Sequence, residues 1–423
     1  DRDLPPRTFP ILSKGREGTF WETPTGVYEV GARSERHFSS IGETWMPYSL
    51  QFYGNFFIHG WPTYPDGTPV PKGYSGGCIR LDTDDAREVF LFAGPRTPVI
   101  VTGGVSVHQF ATSSQYYPHS PEGVNPETLP DIPAPSFLVA DADSREILWE
   151  RGSEAIVPAG PATSIVTALT ALETVNQYKW VRMGELLLGH SALRSDETSA
   201  PDEIAVGALI YPLLFDANDT AARAFASDHG ERNFVRAMNQ KATAIGMEDS
   251  VFASPLPRVH ATSSTRDLFT LLSYTRTAKR FVIDVTRTER RTFTGADPET
   301  SFSWDNKNPW LRAKDASYRG GVGTLNADGS GSAYLLFSLP VSEFETRTVA
   351  FIVPESPDIM SDIEGLRDAV QGNFVYGIER KEKTTLLRTE SLSAPAPTLL
   401  ERIRDLFEIK SLLERNVEYQ REV

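Results

Sequence analysis

The chain has 423 residues, 40% of them hydrophobic and 23% charged, the proportions of a folded protein with room for more than one core. A net charge of −14 argues against nucleic acid as a partner, because phosphate binding leans on Lys and Arg. A single cysteine excludes an internal disulfide and any zinc site built on several thiols.

No apolar run approaches the roughly 18 residues of a membrane-spanning helix. The opening "DRDLPPRTFP" shows no basic region followed by an apolar one, so no signal peptide is visible. In chain order, "GVYEV" (26–30), "SLQFYGNFFIHG" (49–60) and "PVIVTGG" (98–104) read as strands, rich in β-branched and aromatic residues with Gly and Pro between them. A helix is expected at about 83–93, capped by Asp82 or Thr83, with Asp84 and Asp85 at its positive end. Residues 105–135 carry many Pro, Ser and Asn and no period, and read as a semi-extended linker. After it come a hairpin (136–152), a buried helix (163–178), two helices (219–247) and two late strands (330–340 and 346–355), the pattern of an α/β or α+β domain. "GGVG" (320–323) and "GSGS" (329–332) lack the Lys-Ser/Thr of a phosphate-binding loop and read as turns. "GHSALRSDETSAPDE" (189–203) has no metal-ligand spacing. In the tail, Leu399, Leu400, Ile403, Leu406, Phe407, Leu412 and Leu413 recur at near-helical spacing. Such a face packs on its own protein, on a second copy or on another protein.

The one thiol, Cys78, sits in "YSGGCIRL" (74–81), shortly before the acidic start of the 83–93 helix. A helix N-terminus and converging amides both favour a thiolate, and Gly76 and Gly77 let the backbone bend so that amides meet at one point. Such amides can hold an oxyanion. The natural base is a histidine, and His59 ends the apolar strand "NFFIHG", nineteen residues earlier and followed by Gly60. The Pro- and Gly-rich 61–74 stretch between them can fold back, and is a candidate flap over the thiol. A lone cysteine is also a small buried hydrophobe, so spacing alone leaves both readings open. His37, in "RSERHF", reads as an exposed loop residue.

"IHG" and "SGGCIRL" closely resemble the signature of the L,D-transpeptidase catalytic domain. "ETPTG" (22–26), "WMPYSLQFYGNFFIHG" and "DTDDAREVFLFAGPRTPVIV" extend the likeness over roughly residues 8–103. The family usually has a bulkier residue where Gly76 stands, and an additional strand before the one matching "RTFPILSKG". The resemblance implies acyl transfer on peptidoglycan stem peptides. Cys78 attacks the carbonyl before the fourth-position D-alanine, and His59 takes the thiol proton and returns it to the departing D-alanine. The Gly77 and Cys78 amides hold the oxyanion, Ser75, Gly76 and Gly60 contact substrate, and Arg80 contacts substrate or supports the loop. No cofactor or metal is called for. Release to an amine cross-links the wall; release to water is carboxypeptidase trimming of tetrapeptides to tripeptides.

Residues 136 to about 378 resemble the D-alanyl-D-alanine carboxypeptidases, the low-molecular-weight penicillin-binding proteins. "FLVADADSREILWERGSEAIVPAG", "TALTALE", "FDANDTAARAFA" and "FVRAMNQKATAIGMEDSVFASP" carry the likeness. The family's motifs are altered. Where Ser-x-x-Lys is needed stands "PATS", with Pro161 for the nucleophile and Ser164 for the lysine. Ser-x-Asn becomes "DAN", Asp216 to Asn218, and Lys-Thr-Gly becomes "RGG", Arg319 to Gly321. This half then reads as inactive, either a module that still binds stem peptides or a scaffold docked on the first domain.

The expected fold is mixed: a mostly-β L,D-transpeptidase-like domain (1–104), the linker (105–135), an α/β or α+β penicillin-binding-protein-like domain (136–378) and a charged tail with a helix (379–423). The expected function is a cysteine-dependent L,D-transpeptidase outside the cytoplasm, most naturally periplasmic. A peptidoglycan-binding scaffold without activity is the rival of a different class.

Overall fold

The structure, a computed structural model, describes residues 6–103, 109–118, 129–182, 203–257, 261–296, 301–342 and 345–377. Residues 1–378 make one compact unit and residues 379–423 a second. The tail and its expected helix lie outside the described residues, as does nearly all of the 189–203 stretch.

The first half is built from β1 (Gly26–Glu29), β2 (Arg33–Ser39), β3 (Thr44–Tyr53), β4 (Phe56–His59), β5 (Ile79–Arg80), helix α1 (Thr83–Phe92) and β6 (Pro98–Val101). β2, β3, β4 and β5 form one sheet in that order, and β1 pairs with β6. The single strand expected over 49–60 is a hairpin: Gly54, at φ 48°, turns the chain between β3 and β4. Asp82 caps α1 by accepting from the Asp84 amide at 3.0 Å, as its position suggested. The free edge of β5 is covered by residues 12–15, with Leu12 N–H donating to Arg80 C=O and Arg80 N–H to Ser13 C=O.

Parts of the 105–135 segment are tied to the second half. Residues 116–118 form β7 (Tyr116–Pro118), and the Tyr116 hydroxyl donates to Asp141 at 2.5 Å. The Ala134 amide donates to Asp362. Residues 111–115 are exposed, while Tyr116, Ile132 and Ala134 are buried.

The second half begins with the hairpin β8 (Phe137–Asp141) and β9 (Ile147–Arg151). It continues through α2 (Ala162–Thr174), α3 (Ile210–Asp216), α4 (Asp219–His229), α5 (Glu231–Ala244), α6 (Thr265–Ala278) and α7 (Arg280–Thr286). The long strands β10 (Tyr318–Leu325), β11 (Gly331–Pro340) and β12 (Thr346–Ser356) follow, then α8 (Ile359–Asn373) and β13 (Phe374–Tyr376), which pairs with β7. The five-stranded antiparallel sheet runs β10-β11-β12-β8-β9. Alternate residues of its strands enter two cores. Leu138, Ala140, Leu336 and Ile352 face the helical core around α2, while Phe137, Val139, Phe337 and Phe351 face α8. Burial on both faces explains why "AYLLFSL" and "VAFIV" are unbroken apolar runs. "GGVG" lies inside β10, so it is strand and not a turn.

The halves share packing. Tyr28, Phe52, Tyr53 and Phe56 of the first form a core with Ala244 of α5, and the Tyr53 hydroxyl donates to the Ala237 carbonyl at 3.0 Å.

Candidate active site

β4 and β5 run parallel, with Ile58 beside Ile79 and His59 beside Arg80. Side chains alternate along a strand, so His59 and Arg80 share one face; Cys78 stands immediately before β5. The Ile58 and Ile79 side chains point the other way into the aromatic core. Arg80 accordingly exerts its charge on both the imidazole and the thiol.

His59 is 1% exposed, and its Nδ1 lies 2.6 Å from the Gly60 carbonyl. A carbonyl only accepts, so Nδ1 carries the proton and Nε2 holds the lone pair. Burial pulls the imidazole down to about 4; the Gly60 carbonyl opposes this, and Arg80 and His37 reinforce it. Gly60 thus orients the His59 ring. Its own amide donates to Pro47 C=O at 2.9 Å, and a Cβ there would sit 3.0 Å from Thr83 Cα.

Cys78 is partly exposed as a residue, yet its sulfur lies against protein, with Asn55 C=O 3.7 Å away as acceptor. Burial pushes the thiol up to about 11, against the pull of the Phe57 amide and Arg80. The expectation of a lowered thiol is therefore corrected: desolvation outweighs the Phe57 amide and Arg80. Among the described residues no hydrogen bond joins His59 to Cys78; the thiol donates to Asn55.

Ser75 ties the turn together. Its hydroxyl donates to Cys78 C=O at 2.6 Å and accepts the Gly77 amide at 3.1 Å. Ser75 is buried, so its expected contact with substrate gives way to loop support. The Gly77 amide, expected at the oxyanion, is engaged by that same hydroxyl; the Cys78 amide has no hydrogen-bond partner among the described residues. Gly77 has φ 104°, and a Cβ there would overlap the Phe56 ring, so only glycine fits. Gly76 faces open space, where a larger side chain could stand. Arg80 lies over the Trp61 ring at 5.6 Å, and burial lowers its pKa. Its Nε is buried without a hydrogen-bond partner, and no carboxylate pairs with Arg80 among the described residues.

His37 is in β2 and not in a loop, stacked on Phe57 with ring centroids 4.7 Å apart. The 61–74 segment is held down: Trp61 Nε1 donates to Val70 C=O at 2.8 Å, and Trp45 and Thr63 exchange main-chain bonds. Sequence reasoning passed over Asn55, Trp61 and Tyr64. A Gly-Asn pair between apolar runs is a hairpin signal that would have separated Asn55 from the strand.

In the second half the altered motif positions all have local partners. Pro161 precedes α2, and the buried Ser164 hydroxyl donates to Pro161 C=O at 2.6 Å. Asp216 pairs with Lys307 at 2.7 Å, and Asn218 caps α4 through the Ala221 amide at 3.0 Å. Arg319 donates to the carbonyls of Ala316 and Tyr318. Gly321 (φ 122°) donates its amide to Thr286 Oγ1, and a Cβ there would overlap the Tyr334 carbonyl. Among the described residues no group of three or more His, Cys, Asp or Glu could hold a metal, and no helix is long and apolar enough to cross a membrane.

Comparison with known proteins matches the L,D-transpeptidase catalytic domain to residues 1–101 and the D-alanyl-D-alanine carboxypeptidase family to residues 123–329. A D-alanyl-D-alanine endopeptidase of Pseudomonas aeruginosa is 26% identical over 151 residues, 34% of this chain and 47% of the relative. The enzyme of that name from Escherichia coli is 24% identical over 158 residues, again 34% and 47%. The chain thus spans about half the length of these relatives. A D-alanyl-D-alanine carboxypeptidase structure from Mycobacterium tuberculosis superposes with a TM-score of 0.48 at 18% identity, over 60% of this chain and 94% of its own. An ampicillin-bound penicillin-binding protein from Listeria monocytogenes gives 0.44 at 18% identity, over 57% and 98%.

Proposed function

Because the chain joins an L,D-transpeptidase catalytic domain to a D-alanyl-D-alanine carboxypeptidase-family domain, we propose that it is an extracytoplasmic L,D-transpeptidase working through an acyl-enzyme on Cys78, with a second half that has lost its own chemistry. The observation that supports this reading is the parallel register of β4 and β5, which pairs His59 with Arg80, two residues after Cys78.

The resting pair is a neutral thiol and a neutral imidazole. Attack therefore requires the sulfur to turn from Asn55 toward His59, so that Nε2 takes the proton as the S–C bond forms. The same proton then goes to the amino group of the departing D-alanine. Arg80 favours thiolate character in the transition state, and the Cys78 amide is the donor for the oxyanion. A wall amine, or water, releases the acyl group.

In the second half, Pro161 offers no nucleophile, and Ser164 is buried with its hydroxyl on Pro161. A fluorescent penicillin is expected to leave this half unlabelled; a covalent label on it overturns its inactivity. Incubation with purified tetrapeptide muropeptides separates the active readings, since dimers report transpeptidation and tripeptides report trimming. Cys78→Ala is expected to lose at least about 1,000-fold in turnover, as loss of a covalent nucleophile does. Unchanged turnover by that variant ends the proposal.

A further inference from the structure

Three charged side chains of the second half are fully buried beneath the Cys78 turn: Glu173 at the end of α2, Lys241 on α5, and Lys279 just after α6. Lys241 Nζ lies 2.9 Å from Glu173 Oε2 and donates to the Tyr28 and Tyr274 hydroxyls at 3.1 and 2.8 Å. Lys279 Nζ lies 3.2 Å from Glu173 Oε1 and donates to the Glu22 carbonyl at 2.6 Å. Isolated buried charge is strongly unfavourable; here Glu173 balances the two lysines within the second half, and the Tyr28 hydroxyl and Glu22 carbonyl of the first half complete their hydrogen bonding.

Two arms lead from it to the thiol. The Glu173 main-chain carbonyl accepts the Asn55 amide at 2.9 Å, and Asn55 C=O accepts the Cys78 thiol. On the other side, Lys279 fixes the Glu22 carbonyl; the next residue, Thr23, donates its hydroxyl to Gly77 C=O at 2.8 Å and accepts the Gly15 amide at 2.9 Å. The approach is close on both arms. A Cβ at Gly54 would overlap the Glu173 carbonyl, and Lys279 Nζ sits 5.3 Å over the Phe56 ring that shapes the Gly77 turn.

We propose that Glu173 and Lys279 are positioning residues for the Cys78 nucleophile: the ion-paired end of α2 grips the turn through Asn55 on one side and through Glu22 and Thr23 on the other. This deepens the reading of Cys78 as the nucleophile and rests on it. The carboxypeptidase-like half is then a working part of the thiol site, whatever its own cleft binds. The charged group that acts on the thiol itself is Arg80; the buried cluster reaches it only through the main chain.

The test uses the full chain with Lys279→Met and, separately, Gly54→Ala. The first leaves Glu173 paired one-to-one with Lys241; the second pushes the Asn55 turn off the helix end. Neither removes a group that contacts the reacting atoms. The rate of Cys78 alkylation by iodoacetamide is followed against pH per folded molecule, alongside kcat and KM on tetrapeptide. With the grip loosened, water reaches the sulfur, so the alkylation midpoint is expected to fall by about 1 pH unit or more. kcat is expected to fall at least about 10-fold with KM within about 3-fold. A lower melting temperature with wild-type alkylation profile and wild-type kcat, in either variant that folds, overturns the proposal. If neither folds, hydrogen exchange on the unaltered chain decides. An Asn55 amide as protected as the amides of α2 supports the grip, and loop-like exchange there overturns it. Alkylation needs no substrate, so the grip can stand in a chain that fails to process muropeptides, and the two readings fail separately.

Discussion

At the scale of single residues, the site is a pair held neutral by burial. His59 has its imidazole at about 4 against an ordinary 6.5, because the fold prefers the uncharged ring. The unfolded chain therefore binds a proton there that the folded chain does not, and stability from this group is present above pH 6.5 and lost as pH falls toward 4. The shift corresponds to about 3 kcal/mol over that window. Urea titrations of His59→Gln should show a flatter fall in stability between those pH values than the parent; equal slopes contradict the burial argument. Arg80 makes a second, opposite-looking demand, since its charge lowers both the thiol and the imidazole. Arg80→Met should move the midpoint of Cys78 alkylation to higher pH, measured with iodoacetamide on the folded variant. A midpoint that stays or falls shows that the guanidinium does not face the sulfur.

At the scale of elements, what was readable depended on whether local pattern and tertiary burial agreed. The strands around 26–30 and 98–104, α1 with its Asp82 cap and the later helix and strand runs were legible because apolar periodicity and capping chemistry coincide there. The motifs around them singled out His59 and Cys78, the pair on which the proposed function rests. Asn55 was hidden because "QFYGNFF" reads as one apolar strand until Gly54 is seen to turn it. "GGVG" read as a turn because glycine is a poor strand former. In the fold, a Cβ at Gly321 or Gly323 would collide with β11 or Trp310, so the glycines permit close packing. Glu173 was passed over as part of an apolar helix, although a lone carboxylate in such a run is itself a sign of a buried partner. The thiol's acidity was misread because glycine amides can be counted in a sequence, and desolvation cannot. In the second half, Asn218 caps α4 and Asp216 pairs with Lys307. Asn218→Ala, which removes the α4 cap, should destabilise the chain by about 1 kcal/mol in thermal melts while leaving Cys78 alkylation unchanged. A change in alkylation would tie that position to the thiol.

At the scale of the whole molecule, residues 1–378 behave as one body because charge and core are shared across the halves. Lys241 and Lys279 each complete their hydrogen bonding on the first half, at the Tyr28 hydroxyl and the Glu22 carbonyl, and Tyr28, Tyr53 and Phe56 close their core on α5. Separating the halves would leave buried ammonium groups short of acceptors and would open that core, so it is disfavoured. Calorimetry should show a single cooperative transition for this body, and two well-resolved transitions would show that the halves are independent. In the function we propose, the same shared body shields and orients Cys78 as the nucleophile. That central claim is tested most directly by intact-protein and peptide mass spectrometry after mixing the full chain with tetrapeptide muropeptide. The expected result is a thioester-linked stem peptide on Cys78 with release of D-alanine, absent in Cys78→Ala. An unmodified Cys78 in a chain that nonetheless turns over the muropeptide, or full turnover by Cys78→Ala, would contradict it.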